Sequence, residues 1–269
     1  MLDKRIAAFP EKSISIGGNA LAYRESARES GEGPALVLLH GIGSGSASWL
    51  FQLEALAGRF RVVAWDAPGY GGSDAFSVER PRPEDYARAL SVLTGALKLG
   101  SFVLVAQSLG ALIAGAYARM FPTLPGMLLI SPAGGYAGDV SKVEDRLRTL
   151  DALGPDGLAE KRAGGMLSPE AKPVALELVR WNYRRIRREG YRHAAYCLAQ
   201  GNLREDAPHY AGRVLVACGS ADTVTPEAGC REIAARFAKS TFKSLPGLGH
   251  ASQIEGAEEV SRMIGDFAC

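Results

Sequence analysis

The feature that most constrains the fold is an alternation of short apolar runs with segments of helical periodicity. The run Ala35-Leu-Val-Leu-Leu-His40 is apolar up to its last residue, and similar runs follow along the chain. Strands that are covered on both faces, as in a parallel sheet, have this composition. The alternation therefore predicts an α/β fold with a doubly wound, mostly parallel sheet of eight strands and helices on both faces.

Eight segments have the composition of strands. The first two are joined through Gly17-Gly18-Asn19, which is typical of a hairpin. The expected strands are 13–16, 20–25, 35–40, 61–65, 102–106, 127–130, 213–218 and 241–245, and helices are expected to begin near residues 48, 83, 109, 227 and 255.

The alternation stops after residue 132. Between residues 133 and 208 there is no strand-like run, and Gly154-Pro155 and Ser168-Pro169 divide the segment into short helices. We expect residues 1–132 and 209–269 to form one α/β core, with residues 133–208 inserted after the sixth strand as a helical cap.

Composition excludes several classes of function. The chain has 269 residues and a formal net charge of +2, so no strong field favours nucleic acid or an anionic membrane. Its four cysteines lack CxxC spacing and nearby histidines, which predicts free thiols and no metal site. The charged N-terminus does not resemble a signal peptide, and no apolar run is long enough to span a bilayer. We expect a cytoplasmic protein with a small-molecule partner; the sequence leaves its oligomeric state open.

The segment Val105-Ala-Gln-Ser-Leu-Gly110 carries the strongest candidate for a nucleophile, Ser108. It departs from the pattern G-x-S-x-G only at Ala106. That pattern places a serine on a tight turn from strand to helix, where small neighbours let the two elements approach closely. Alanine is the next smallest residue after glycine, so the turn remains possible.

A serine hydroxyl needs a base to take its proton. His250 lies in a glycine-rich loop after the last strand, and Asp222 directly follows the strand before it. Loops at the carboxyl ends of parallel strands form the active sites of open α/β sheets. The order Ser, Asp, His suits a catalytic triad in which Asp222 orients His250.

An acyl-transfer site also needs donors for the developing oxyanion. Leu109 offers a backbone N–H at the start of a helix, and Ile42 offers one in the glycine-rich loop after the strand 35–40. Together these residues predict a serine hydrolase. Ser108 would attack an ester, thioester or lactone of a small acid and form an acyl-enzyme, with no metal or organic cofactor.

The ordered motifs resemble those of the α/β-hydrolase fold superfamily. They are Leu39-His-Gly-Ile-Gly43, Trp65-Asp-Ala-Pro-Gly-Tyr-Gly-Gly-Ser-Asp74, Ala106-Gln-Ser-Leu-Gly110, Gly219-Ser-Ala-Asp222 and Gly249-His250. The resemblance covers essentially the whole chain, with residues 133–208 in the place of the variable cap. It is highly specific for the fold and poorly specific for the substrate.

Two segments, 190–204 and 249–255, resemble 3-oxoadipate enol-lactonases. Carbon–carbon hydrolases of aromatic ring-cleavage products usually carry Trp just after the catalytic His, where this chain has Ala251. Dehalogenases and epoxide hydrolases of this fold use Asp where Ser108 stands. The resemblance thus favours a carboxylesterase or lactonase, with carbon–carbon hydrolysis and non-catalytic ligand binding as alternatives.

The predicted cap supplies less certain candidates for substrate contact. Arg180, Arg184, Arg187 and Arg188 have the spacing of one helical face, which is typical of a solvated surface. Arg180 could instead recognise a carboxylate, and Trp181 could line the pocket together with Gly43. His40 is expected to bond the backbone beside the oxyanion loop rather than to transfer protons.

Overall fold

The computed structural model describes residues 2–26, 33–136 and 138–269. Its strands are β1 (Lys12–Ile16), β2 (Asn19–Ser26), β3 (Ala35–Leu39), β4 (Val62–Trp65), β5 (Phe102–Gln107), β6 (Gly126–Ile130), β7 (Arg213–Gly219) and β8 (Ser240–Leu245). They form one sheet in the order β1-β2-β4-β3-β5-β6-β7-β8. The β1–β2 and β2–β4 pairs are antiparallel and the others parallel. The predicted fold class is confirmed.

Helices cover both faces of this sheet. They are α1 (Leu2–Ala7), α2 (Leu50–Leu56), α3 (Pro83–Ala96), α4 (Leu109–Met120), α5 (Ser141–Arg162), α6 (Pro173–Tyr183), α7 (Arg188–Gln200), α8 (Leu203–Asp206), α9 (Glu227–Ala234), α10 (Ser252–Glu255) and α11 (Ala257–Ala268). Helix α1 was not expected from the sequence. Within the described ranges, no helix is both long enough and apolar enough to cross a membrane.

Strand β3 shows why its sequence is apolar throughout. Leu36 and Leu38 belong to the apolar cluster that contains the buried side chains of α11. Val37 and Leu39 belong to the cluster that contains those of α3 and α4. Neither face of the strand meets water, so each position must be apolar.

Helix α3 begins at the proline that the sequence indicates. Pro83 has a φ suited to the first helical turn, and the Asp85 carboxylate accepts the N–H of Arg82 at 2.8 Å. Tyr86 and Leu90 are fully buried, as the apolar spacing predicts.

Between β6 and β7 the described residues form helices and turns. Helix α5 packs against α6 and α7. It is interrupted at Gly154, whose φ of 64° is left-handed, and Pro155 follows. We refer to residues 133–208 as the insertion.

The predicted stripe of four arginines on one helical face is wrong. Helix α6 ends at Tyr183 and α7 begins at Arg188, because the chain turns between them and buries Ile186. Arg187 instead donates to the backbone carbonyls of Gly69 and Ser73. Its charged neighbours instead form separate ion pairs: Arg180 and Arg184 with Glu160, and Arg188 with Asp151.

Candidate active site

Ser108 lies on a strained turn between β5 and α4. Its φ of 53° and ψ of −116° fall in a region that residues with a Cβ rarely adopt, and such a conformation costs about 1–3 kcal/mol. Three backbone hydrogen bonds hold it. Ser108 N–H donates to Ile130 O at 3.1 Å, and Ser108 O accepts the N–H groups of Ala111 and Ala133 at 3.0 and 3.1 Å. A Cβ at Gly110 would lie 2.6 Å from the carbonyl oxygen of Leu39, so the turn requires glycine there.

Asp222 follows β7 and His250 follows β8, and their side chains are hydrogen-bonded. The distance from His250 Nδ1 to Asp222 Oδ2 is 2.9 Å. The other carboxylate oxygen accepts the N–H groups of Val224 and Thr225 at 2.8 and 2.9 Å. Burial opposes ionisation, but His250 and the N–H of Thr225 hold the pKa of Asp222 below its ordinary value. An ionised carboxylate only accepts, so Nδ1 of His250 carries the proton of this hydrogen bond.

The loop after β3 approaches the serine closely. A Cβ at Gly41 would lie 2.6 Å from Gln107 Oε1 and 3.2 Å from Ser108 Cβ, so there is little room for a side chain at this position. His40 Nδ1 donates to Gly41 O at 2.8 Å, and Ala67 N–H donates to His40 Nε2 at 3.1 Å. Burial lowers the pKa of His40 to about 4, so the ring is neutral. Since C=O and N–H of a peptide point in opposite directions, the N–H of Ile42 points away from the His40 ring.

Ser108 and His250 line one cavity of about 190 Å³, together with Ile42 and Gly43. Leu109 is the first residue of α4, so its N–H has no acceptor within the helix. The insertion covers this end of the sheet and contributes Arg146, Arg162, Met166, Val179, Tyr183 and Leu198 to the lining. The serine and the histidine therefore share the lining of one cavity that is partly open to solvent.

Comparison with known proteins agrees with this geometry. The profile of the Alpha/beta hydrolase family matches residues 36–263. The chain belongs to this family. The enol-lactonase from Burkholderia xenovorans LB400 superimposes with a TM-score of 0.86 and 25% identity over 95% of this chain and 99% of that one. A thermophilic esterase from Thermogutta terrifontis superimposes with a TM-score of 0.85 and 25% identity, over 96% of this chain and 97% of that one. Both of these neighbours are named for the hydrolysis of esters or lactones.

Sequence relatives of this chain carry different names. An uncharacterized protein of Mycobacterium tuberculosis is 38% identical over 141 residues, which are 51% of this chain. The match spans only 39% of the length of that relative. A 2-hydroxy-6-oxo-6-phenylhexa-2,4-dienoate hydrolase of Burkholderia cepacia is 24% identical over 95% of both chains.

The predicted substrate contacts divide into two groups. Gly43 lines the cavity, and a Cβ there would lie 2.3 Å from the ring of Tyr183, so glycine lets this tyrosine pack over the loop. Arg180 and Trp181 do not line it. Arg180 is paired with Glu160 at 2.7 Å, and the Trp181 indole donates to Asp3 at 2.9 Å. The sequence placed them at the substrate because it could not show how α6 packs.

Thr225 is a site residue that the sequence analysis missed. Its hydroxyl lies 2.9 Å from Asp222 Oδ2 and 3.1 Å from His250 Nδ1. One feature of the sequence could have indicated it. An aspartate often accepts the N–H groups that follow it in a turn, and Thr225 lies three residues after Asp222, where such a turn folds back on the carboxylate. Thr225 thereby fixes the carboxylate that contacts His250.

Glu255 of α10 was also missed. Its carboxylate accepts the N–H of Gly249 at 2.8 Å, next to His250, and both the N–H and the hydroxyl of Ser168 in the insertion. Ala251 N–H donates to Met166 O at 2.7 Å across the same contact. The loop that carries His250 is therefore fastened directly to the insertion.

Proposed function

We propose that this hydrolase cleaves carboxylic esters, thioesters or lactones of a small acid through an acyl-enzyme on Ser108. The observation that carries the proposal is the hydrogen bond between His250 and the ionised Asp222, beside a serine held on a strained turn in the same cavity. Asp222 fixes the tautomer of His250, so the imidazole is ready to act as a base.

In the first half of the reaction, Nε2 of His250 takes the proton of Ser108 and the hydroxyl oxygen attacks the substrate carbonyl carbon. The N–H groups of Ile42 and Leu109 stabilise the oxyanion. The intermediate then collapses, and the leaving alcohol or thiol takes the proton from His250. Water repeats the sequence and releases the acid, which leaves Ser108 unchanged.

His40 supports the oxyanion step without touching the substrate. Its bond to Gly41 O fixes the peptide that bears the Ile42 N–H, and Tyr70 fixes the next peptide by donating to Ile42 O at 2.5 Å. Donors that are already oriented need no reorganisation when the charge develops.

A second candidate is carbon–carbon hydrolysis, favoured by the Burkholderia cepacia relative that aligns over 95% of this chain. An ester panel assayed beside that relative's named substrate distinguishes the two reactions. The proposal predicts a larger kcat/KM for an ester of the panel than for the carbon–carbon substrate.

Partitioning of the acyl group tests the acyl-enzyme. When methanol is added, it competes with water for the acyl-enzyme, so the products are the methyl ester and the free acid. We expect phenyl and p-nitrophenyl esters of one small acid to give the same ratio of these products, because both form the same acyl-enzyme. Ser108→Ala should lower kcat by about 10³-fold or more, while the exposed Ser101→Ala should match the parent. A ratio that depends on the leaving group, or an active Ser108→Ala variant, would refute the proposal.

A further inference from the structure

The insertion brings two guanidinium groups, Arg146 and Arg162, to the lining of the Ser108 cavity. Both belong to α5. Three other arginines of the insertion, Arg180, Arg184 and Arg188, each pair with a carboxylate. Among the described residues, neither Arg146 nor Arg162 has such a partner.

The hydrogen bonds of Arg146 all go to neutral groups. Its Nε and Nη2 donate to the phenol oxygen of Tyr136 at 3.1 and 2.6 Å, and Nη1 approaches that of Tyr191 at 3.3 Å. These contacts hold the guanidinium in place but leave its charge uncompensated. The Nε of Arg162 is buried and has no hydrogen-bond partner among the described residues.

The rest of the cavity does not supply the missing charge. Its lining contains no aspartate or glutamate among the described residues. A buried cation is costly unless an anion and hydrogen bonds compensate it, and arginine matches a carboxylate with two parallel N–H donors. Two unpaired guanidinium groups in one cavity of about 190 Å³ therefore form a site for an anion carried by a small molecule.

We propose that the substrate carries a carboxylate besides the carbonyl that Ser108 attacks, and that Arg146 and Arg162 bind it. The reaction at Ser108 rests on the proposed function, whereas the anion-binding site does not depend on it. The substrate class is then half-esters of small dicarboxylic acids and lactones that bear a carboxylate. Hydrolysis adds one water and yields a second carboxylate, the alcohol and one proton.

Paired substrates test the charge requirement. Monomethyl glutarate is compared with the methyl ester of its primary amide, which has nearly the same shape but no charge. We expect the anionic ester to be preferred in kcat/KM, and Arg146→Gln and Arg162→Gln each to reduce that preference about 10- to 100-fold. Most of the loss should be in KM, and Arg146→Lys should restore part of it.

Arg184→Gln is the matched control, because Arg184 is half-exposed and paired with Glu160 in the same insertion. It should keep the preference, and the neutral ester should report whether each variant remains folded. An unchanged preference in both arginine variants, or an equal loss on both substrates, would overturn the proposal.

Binding separates this proposal from the proposed function. Calorimetry should show that glutarate binds the parent and the Ser108→Ala variant, and that Arg146→Gln and Arg162→Gln weaken the binding. Such binding without hydrolysis of any ester would refute the acyl-enzyme and leave the anion site standing. Hydrolysis of neutral esters without binding of glutarate would refute the anion site and leave the acyl-enzyme standing. Equal binding of inorganic phosphate would contradict the carboxylate assignment.

Discussion

At the scale of single residues, His40 links the stability of the fold to the geometry of the site. Its Nε2 accepts the N–H of Ala67, so the ring must be neutral. Burial lowers the pKa of His40 to about 4. The sequence analysis assigned this histidine to backbone bonding, and the structure confirms that assignment.

Because the His40 ring is neutral in the folded chain, we expect the fold to lose stability in acid. Below pH of about 6.5 the unfolded chain binds a proton at His40, whereas the folded chain does so only near pH 4. The free energy of unfolding should therefore fall as the pH is lowered from 6.5 to 4, with about 3 kcal/mol from His40 when complete. Urea unfolding at several pH values measures this slope.

Burial also lowers the pKa of His193, so His193 contributes to the same pH dependence of stability. The His40→Gln variant separates the contribution of His40 from it. The variant is expected to be less stable than the parent at pH 7, and the difference should shrink towards pH 4. A difference that stays constant over this range would show that His40 does not titrate as described.

The sequence predicted Ser108, Asp222 and His250 because each lies in a turn or loop that follows a strand, and such a connection at the carboxyl end of the sheet places its residues near the others. Arg146 and Arg162 gave no such signal. They lie on a helix of the insertion, and only the packing of that helix against its neighbours decides which side chains reach the cavity.

At the scale of elements, strands were easier to predict than the helices of the insertion. A strand covered on both faces is apolar throughout, and that composition marks it in the sequence. The segment 180–188 has helical spacing but contains a turn, because burial of Ile186 outweighs the continuation of the helix. Tertiary contacts of this kind leave no local pattern.

Glu255 of α10 connects the His250 loop to the insertion, so its loss should affect both stability and catalysis. Glu255→Ala leaves the N–H groups of Gly249 and Ser168 without their acceptor. We expect the free energy of unfolding to fall by about 1–3 kcal/mol and kcat to fall as the loop loses its position. Urea denaturation and steady-state kinetics measure the two effects.

Glu177→Ala provides the comparison, because Glu177 is an exposed carboxylate of α6. This variant should resemble the parent in both measurements. If Glu255→Ala behaves like Glu177→Ala, the carboxylate has no role in holding the two segments together.

At the scale of the whole molecule, the site is shared between two parts of the chain. The sheet contributes the residues that follow β3, β5, β7 and β8, and the insertion contributes the cover and the two arginines. The first set is tied to the fold, and we propose that it carries out the reaction. The second depends on the packing of the insertion, and we propose that it determines which acid is accepted.

The most direct test of a serine nucleophile is labelling of the intact protein with a fluorophosphonate, followed by mass spectrometry of the peptides. We predict one adduct, on Ser108, in the parent and in Ser101→Ala, and none in Ser108→Ala. The adduct should form more slowly in His250→Ala, because the base that activates the hydroxyl is gone. A folded parent that stays unlabelled while a control serine hydrolase reacts, or an adduct on another residue, would contradict the mechanism.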